Sequence, residues 1–291
     1  MGKTNPKPRA PAAYRMTTWA VSKLSQRMLT ATAQVSGLTH YLMASGKRRD
    51  YRSNLSPVVE FGPGCRPWRA FQNQILNVLE LLKVPSQTDE DILNRMTLHG
   101  GSYIDATLGR GNGLILATFH SGNWELSGLM LSLAGYPITT VAGEQLRAGW
   151  SDEVKSLKER FGIKMAGETS GLRELYRDLE ANRALVLHID GDVFTGGIVV
   201  RFLGRTLAVP RGPAHLSRVR SAPVALAYCR RAPDDHLDVH IEPPMPPPVD
   251  ADGERTLTQS LMSRIEKLVV EDPGQWCIFR DLFGGKARPL V

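Results

Sequence analysis

Leu114-Ile115-Leu116-Ala117-Thr118-Phe119 runs directly into His120-Ser121-Gly122-Asn123-Trp124-Glu125, and then into a second apolar run, Leu126 to Leu133. The first six residues have the length and composition of a short strand buried on both faces. The last eight have helical composition. The hexapeptide between them sets an imidazole and a carboxylate where a strand hands over to a helix, a common place for α/β enzymes to keep their chemistry. On one continuous helix His120 and Glu125 would stand about 140° apart and could not touch. They meet only if His120 lies on the loop and Glu125 in the first helical turn. Gly122 and Asn123 suit that geometry, because Gly accepts unusual φ and Asn is a good N-cap. A carboxylate on one imidazole nitrogen leaves the other oriented as a general base. The same residues also fit a plain strand-end turn with a structural His, and spacing alone does not separate the two.

Outward from this stretch, strands and helices alternate. The expected strands are Leu114–Phe119, Ile138–Ala142, Ala184–Ile189, Ile198–Phe202, Val224–Cys229 and Leu237–Ile241. The expected helices are Trp124–Leu133, Ser151–Phe161, Ser170–Ala181, Pro213–Arg220 and Thr256–Val270. Such alternation predicts an α/β fold, a central and mainly parallel or mixed sheet covered by helices on both faces. Pro243 to Pro248, with five prolines in six positions, is an extended loop.

Upstream the reading is helical. Trp68, Phe71, Ile75, Leu76, Leu79 and Leu82 mark an amphipathic helix, and Asp89 to Leu98 reads as another with an acidic first turn. We expect a disordered tail over 1–13, a helical segment over 14–100 that is membrane-interfacial or packed on the body, and an α/β domain over 101–285. The chain has 291 residues and a net charge of +7. Nine Lys and Arg and no acidic residue precede Asp50, so the remainder carries about −2. A basic segment of this kind suits anionic lipid headgroups or nucleic acid. Trp19, Leu24, Met28, Val35, Leu38, Tyr41 and Leu42 recur at helical spacing. That pattern fits a helix lying in a membrane interface, or one packed on the body of the protein. The run Met28 to Gly46 is too polar for a confident span, and no secretory signal is evident. Three widely spaced cysteines, Cys65, Cys229 and Cys277, argue against a disulfide framework or a structural zinc site.

Two further constellations carry polar chemistry. His188-Ile189-Asp190-Gly191-Asp192 would aim residues 188, 190 and 192 to one side of a strand. It reads as a metal site, a substrate clamp or a strand-end turn. Arg201 to Arg205, continuing to Val209-Pro210-Arg211-Gly212-Pro213, could present charge and backbone N–H groups to a phosphate, or be a solvated basic face. No GxSxG nucleophile elbow occurs, so a covalent serine intermediate is not expected.

The hexapeptide resembles the H-x4-D/E motif of glycerolipid acyltransferases. Its form is the "HxGNWE" of the bacterial lipid A late acyltransferases of lauroyl/myristoyl type, which mycobacterial phosphatidylinositol mannoside acyltransferases share. Other blocks are similar to the family in the same order. These are Arg52-Ser53-Asn54-Leu55, Leu79-Glu80, Gly109–Gly113, Asp190-Gly191-Asp192, Phe202-Leu203-Gly204, Pro210-Arg211-Gly212-Pro213-Ala214, Glu266, and Pro273-Gly274-Gln275-Trp276 with Phe279-Arg280. Cys277-Ile278-Phe279-Arg280-Asp281 departs from the family's usual ending, and the sequence shows no obvious transmembrane anchor.

The resemblance implies an O-acyltransferase. It would move a fatty acyl chain from acyl carrier protein or acyl-CoA to a hydroxyl of a membrane glycolipid, with no cofactor and no metal. His120 would be the base and Glu125 its orienting carboxylate. Backbone N–H groups near Gly122, or a nearby Arg, would hold the oxyanion. Arg147, Arg160 and Asp190 would contact or position substrate. The implied partners are the acyl donor, the lipid acceptor and an anionic membrane surface, not nucleic acid. The implied location is the cytoplasmic face of the inner membrane, with peripheral or weak attachment. Two other readings stay open: a metal-dependent hydrolase using His188, Asp190 and Asp192, and a non-catalytic lipid-binding homologue.

Overall fold

The structure, a computed structural model, describes residues 11–62, 65–141, 150–166, 171–191 and 196–284. Its first part is helical: α1 (Ala12–Ser22), α2 (Gln26–Met43), α3 (Ser45–Leu55), α4 (Trp68–Lys83) and the short α5 (Asp89–Leu93). Strand β1 (Met96–His99) and helix α6 (Gly101–Leu108) follow. The body continues through β2 (Leu114–Thr118), α7 (Trp124–Leu133), β3 (Ile138–Val141), α8 (Trp150–Arg160), β4 (Lys164–Ala166), α9 (Gly171–Glu180) and β5 (Ala184–His188). It ends with β6 (Ile198–Phe202), β7 (Arg205–Val209), α10 (Gly212–Arg220), β8 (Val224–Arg231), β9 (Leu237–Ile241) and α11 (Ala251–Glu271).

Seven strands form one sheet in the order β1-β9-β8-β2-β5-β3-β4, and β6 and β7 form a separate antiparallel pair. All neighbours in the large sheet run parallel except β8 and β9. The fold is therefore the expected α/β arrangement with an N-terminal helical segment. Alternation along β2 shows why both faces are covered. Leu114 and Leu116 enter a core with α6, α7 and α8, while Ile115 and Ala117 enter the opposite core with α9, α10 and α11. That double burial is what the unbroken apolar run encodes.

Three strands went unread in the sequence: β1, β4 and β7. The first two sit at the sheet edges and the third outside it, and all three mix polar with apolar residues. Asp89–Leu98 is not one helix. It stops at Leu93, and Met96 to His99 pair with Leu237 to His240. Residues before position 100 thus contribute an edge strand to the α/β sheet. Ala12 and Ala13, placed by the sequence reading in a tail, open α1.

Within the helical part, α2 packs on α4 through a stripe four residues apart: Leu29, Ala33, Gly37 and Tyr41. Gly37 is required there, since a Cβ would lie 2.5 Å from the Gln72 Cα. The opposite stripe is open. Trp19 is 67% exposed, Val35 70% and Met43 80%, with Met28, Leu38 and Leu42 also exposed. Of the apolar residues read as interfacial, Tyr41 packs on the body and Leu24 is half-buried. No helix among the described residues is long and apolar enough to cross a membrane.

Candidate active site

Strands β2 and β5 are parallel neighbours, with Thr118 opposite His188. Two residues further on, past the carboxyl ends of both strands, the same register brings His120 beside Asp190. The Asp190 carboxylate is fully buried and accepts three hydrogen bonds. Its Oδ1 lies 2.8 Å from His120 Nδ1, and its Oδ2 takes the His120 backbone N–H at 3.0 Å and the Trp276 Nε1–H at 2.9 Å. Burial alone would raise the Asp190 pKa. The facing imidazole and its hydrogen bonds outweigh that and hold the carboxyl at about 2. An acceptor fixed on Nδ1 sets the ring orientation and leaves Nε2 as the nitrogen able to accept a proton. Nε2 has no protein hydrogen-bond partner among the described residues.

The loop itself is tightly held. Asn123 caps α7 by accepting from the Leu126 N–H at 3.2 Å. Gly122 has φ +57°, and a Cβ there would meet the Cys229 carbonyl oxygen at 2.5 Å, so only glycine fits. Ser121 Oγ donates to that same carbonyl at 2.9 Å. The C-terminal segment closes the loop from the other side. The Gly122 N–H donates to the Gln275 carbonyl at 3.1 Å, and the Cys277 N–H donates to the His120 carbonyl at 2.9 Å.

From beneath, α4 supplies a buried polar cluster. Glu80 accepts from Arg231 at 2.6 and 2.8 Å, from Arg95 at 2.6 Å, from Asn123 Nδ2 at 2.7 Å and from Gln26 at 2.9 Å. Asn77 donates to the Gly122 carbonyl and accepts from Arg231 at 2.8 Å. Burial works to raise the Glu80 pKa, but the two guanidinium groups carry it down to about 2. Glu80 entered the sequence reading only as part of a family-like block. Its signal was the spacing Asn73, Asn77, Glu80, which puts polar residues on the buried face of α4.

The expected residues fare differently. His120 lies on the loop and Glu125 in the first turn of α7, as the spacing required. Glu125 does not hold the imidazole, however. Its carboxylate is 2.6 Å from Lys158 Nζ on α8, and Asp190 takes the His120 ring. A local spacing of five residues suggested the first pairing, while the second spans seventy and exists only through strand register. Arg160 is exposed, with its guanidinium 5.3 Å above the Phe161 ring. Arg147 and Asp192 lie outside the described residues. His188 stacks at a tilt on His120, ring centroids 4.4 Å apart, and Trp124 meets His120 edge-on at 5.0 Å. Burial first, then the neighbouring His120 and Lys158, depress the His188 pKa to about 3 and keep that ring neutral.

No group of three or more His, Cys, Asp or Glu among the described residues is placed to hold a metal ion. Both Asp190 oxygens are already taken up by His120 and Trp276. Of the His188/Asp190/Asp192 set, His188 and Asp190 fall among the described residues.

The acid–imidazole pair thus lies past the carboxyl ends of two central strands, with Asp190 in the place the ordered motifs gave to Glu125. Residues 12–284 match the family described as bacterial lipid A biosynthesis acyltransferase. The chain belongs to this family. Among similar proteins are two phosphatidylinositol mannoside acyltransferases. The one from Mycobacterium tuberculosis (strain CDC 1551 / Oshkosh) is 25% identical over 199 residues, covering 65% of this chain and 63% of that protein. The one from Mycolicibacterium smegmatis is 24% identical over 245 residues, covering 81% and 79%. For this member of the lipid A acyltransferase family, the matched region thus spans just under two thirds of the tuberculosis relative.

Proposed function

We propose that the protein is an O-acyltransferase that moves a fatty acyl chain from an acyl thioester, on acyl carrier protein or CoA, to a hydroxyl of a membrane glycolipid. The observation that carries this reading is the His120–Asp190 pair. A lipid hydroxyl is a poor nucleophile at neutral pH, and a positioned base contributes typically about 10²–10⁴-fold. His120 Nε2 takes the hydroxyl proton as oxygen attacks the thioester carbonyl. Asp190 keeps Nδ1 protonated and stabilises the imidazolium. The same imidazolium then returns the proton to the departing thiolate. Glu125 serves the site through Lys158, holding that cation near His188.

The exposed apolar stripe of α1 and α2, flanked by exposed Arg15, Lys23, Arg27 and Lys47, supports docking on an anionic bilayer from the cytoplasmic side. Membrane attachment would then be peripheral, and the acceptor would be reached at the surface. Lipid A precursors and mannosylated phosphoinositides are the acceptor classes that the family and its relatives suggest.

The test is thioester turnover by the purified full chain on vesicles carrying each acceptor, followed by thiol release and lipid mass. His120→Ala is expected to lower kcat by about 10²–10⁴-fold. Undiminished turnover in that variant overturns the reading.

A further inference from the structure

Attack on a thioester carbonyl converts its oxygen to an oxyanion, which needs hydrogen-bond donors already in place. The loop amides beside His120 cannot supply them. The His120 N–H is spent on Asp190 at 3.0 Å, the Ser121 N–H on the Phe119 carbonyl at 2.8 Å, and the Gly122 N–H on Gln275 at 3.1 Å. Arg231, the arginine that braces the loop, is closed off against Glu80 and Asn77. Of the backbone N–H groups near Gly122 expected to hold the oxyanion, those of His120, Ser121 and Gly122 are thus already engaged.

Two side-chain nitrogens next to His120 have the opposite character. Trp124 Nε1 and His188 Nε2 are both shut off from solvent and have no hydrogen-bond partner among the described residues. Their rings lie against the catalytic imidazole, at 5.0 and 4.4 Å between centroids, and against each other at 6.5 Å. A buried donor left unpaired is costly, so two such donors around one imidazole call for an explanation. The neutral state of His188 adds to the case, because a neutral ring offers an N–H without competing with His120 for the hydroxyl proton.

We propose that the Trp124 indole N–H and the His188 imidazole, as its Nε2–H tautomer, are the donors that bind the acyl carbonyl oxygen as it becomes an oxyanion. The inference rests on His120 acting as the base. In the first step the acceptor oxygen bonds to the carbonyl carbon, its proton passes to His120 Nε2, and the C=O electron pair moves onto the oxygen held by the two donors. In the second step that pair re-forms C=O, the C–S bond breaks, and the thiolate takes the proton from His120. Neither donor gives up its hydrogen.

The experiment compares Trp124→Phe, His188→Leu and His188→Gln with the wild-type full chain, using a long-chain acyl-CoA as donor. Trp124→Phe keeps an aromatic side chain but loses the N–H together with the pyrrole part of the indole, and is expected to lower kcat by about 10–10²-fold with little change in KM. His188→Leu is expected to do the same while leaving the thermal midpoint unchanged or raised, since it removes an unpaired polar atom. His188→Gln, which restores an N–H, recovers part of the loss. A fluoroketone analogue of the donor, whose carbonyl adds water to give a tetrahedral hydrate that cannot expel a thiolate, should lose affinity for both single variants more than acyl-CoA itself does. Trp124→Phe and His188→Leu within about twofold of wild type, with His120→Ala inactive, would overturn this inference alone and move the oxyanion to the first-turn amides of α7. Activity in His120→Ala would instead remove the base reading on which it stands.

Discussion

Glu80 and Asp190 are two fully buried carboxylates, both held near a pKa of 2, and they differ in what surrounds them. Every hydrogen-bond partner of Glu80 is an internal donor that exists only to be held: Arg231, Arg95, Asn123 and Gln26. Asp190 spends one oxygen on Trp276 and a backbone amide and the other on an imidazole whose far nitrogen has no hydrogen-bond partner among the described residues. The first network is closed and the second is open at one end. A closed polar network rigidifies, and an open one is available to do chemistry. The two are joined through Asn123 and Gly122, so the closed network fixes the loop that carries the open one.

Replacing Glu80 should give the largest loss of stability. Glu80→Ala leaves Arg231 buried without its counter-charge and is expected to cost about 3–5 kcal/mol, read as a lower urea midpoint. A loss under about 1 kcal/mol would mean that the cluster does not brace the loop. Asp190→Asn keeps shape and volume, so it should leave the fold largely intact while lowering kcat on the order of 10²-fold, because the imidazolium loses its counter-charge. If Asp190→Asn is instead as destabilising as Glu80→Ala and as active as wild type, the contrast drawn between the two carboxylates collapses.

Acid should reveal both groups together. Each carboxyl has a folded pKa below its ordinary value of 4.5 or 3.8, so the unfolded chain binds protons more readily. Their contribution is fully present above about pH 4.5 and is lost as pH falls towards about 2. Thermal midpoints across that window should drop more steeply in wild type than in Glu80→Gln, and parallel curves would show that Glu80 is not the titrating group. The smallest effect should come from the α1–α2 surface. Changing Trp19, Val35 and Leu42 to Ser should leave turnover of water-soluble donor unaltered but weaken flotation with anionic vesicles, each large side chain being worth about 1.5–3 kcal/mol when buried. Equal flotation would move membrane docking elsewhere.

Much of the sheet was legible because strands buried on both faces must be apolar throughout. Leu114 to Ala117, Ala184 to Leu187 and the first six residues of β8 carry that mark. Met96–His99 and Lys164–Ala166 do not, since edge strands bury less and tolerate Thr, His and Lys. His120 was legible for a similar reason: local turn chemistry at Gly122 and Asn123 places it on a loop between a strand and a helix. Its partner was not. Glu125 is near in sequence but turns to Lys158, whereas Asp190 reaches His120 through a parallel strand pair.

What the amino-acid order determined by itself, then, is everything set by short-range physics: apolar period, helix cap, glycine turn and the site of the imidazole. What only the tertiary structure decided is which buried charge meets which. Asp190 with His120, Glu80 with Arg231 and the Trp124 and His188 nitrogens, unpaired among the described residues, depend on strand register and helix docking across many tens of residues. No local spacing encodes those distances, because the chain between them contributes its length and not its direction.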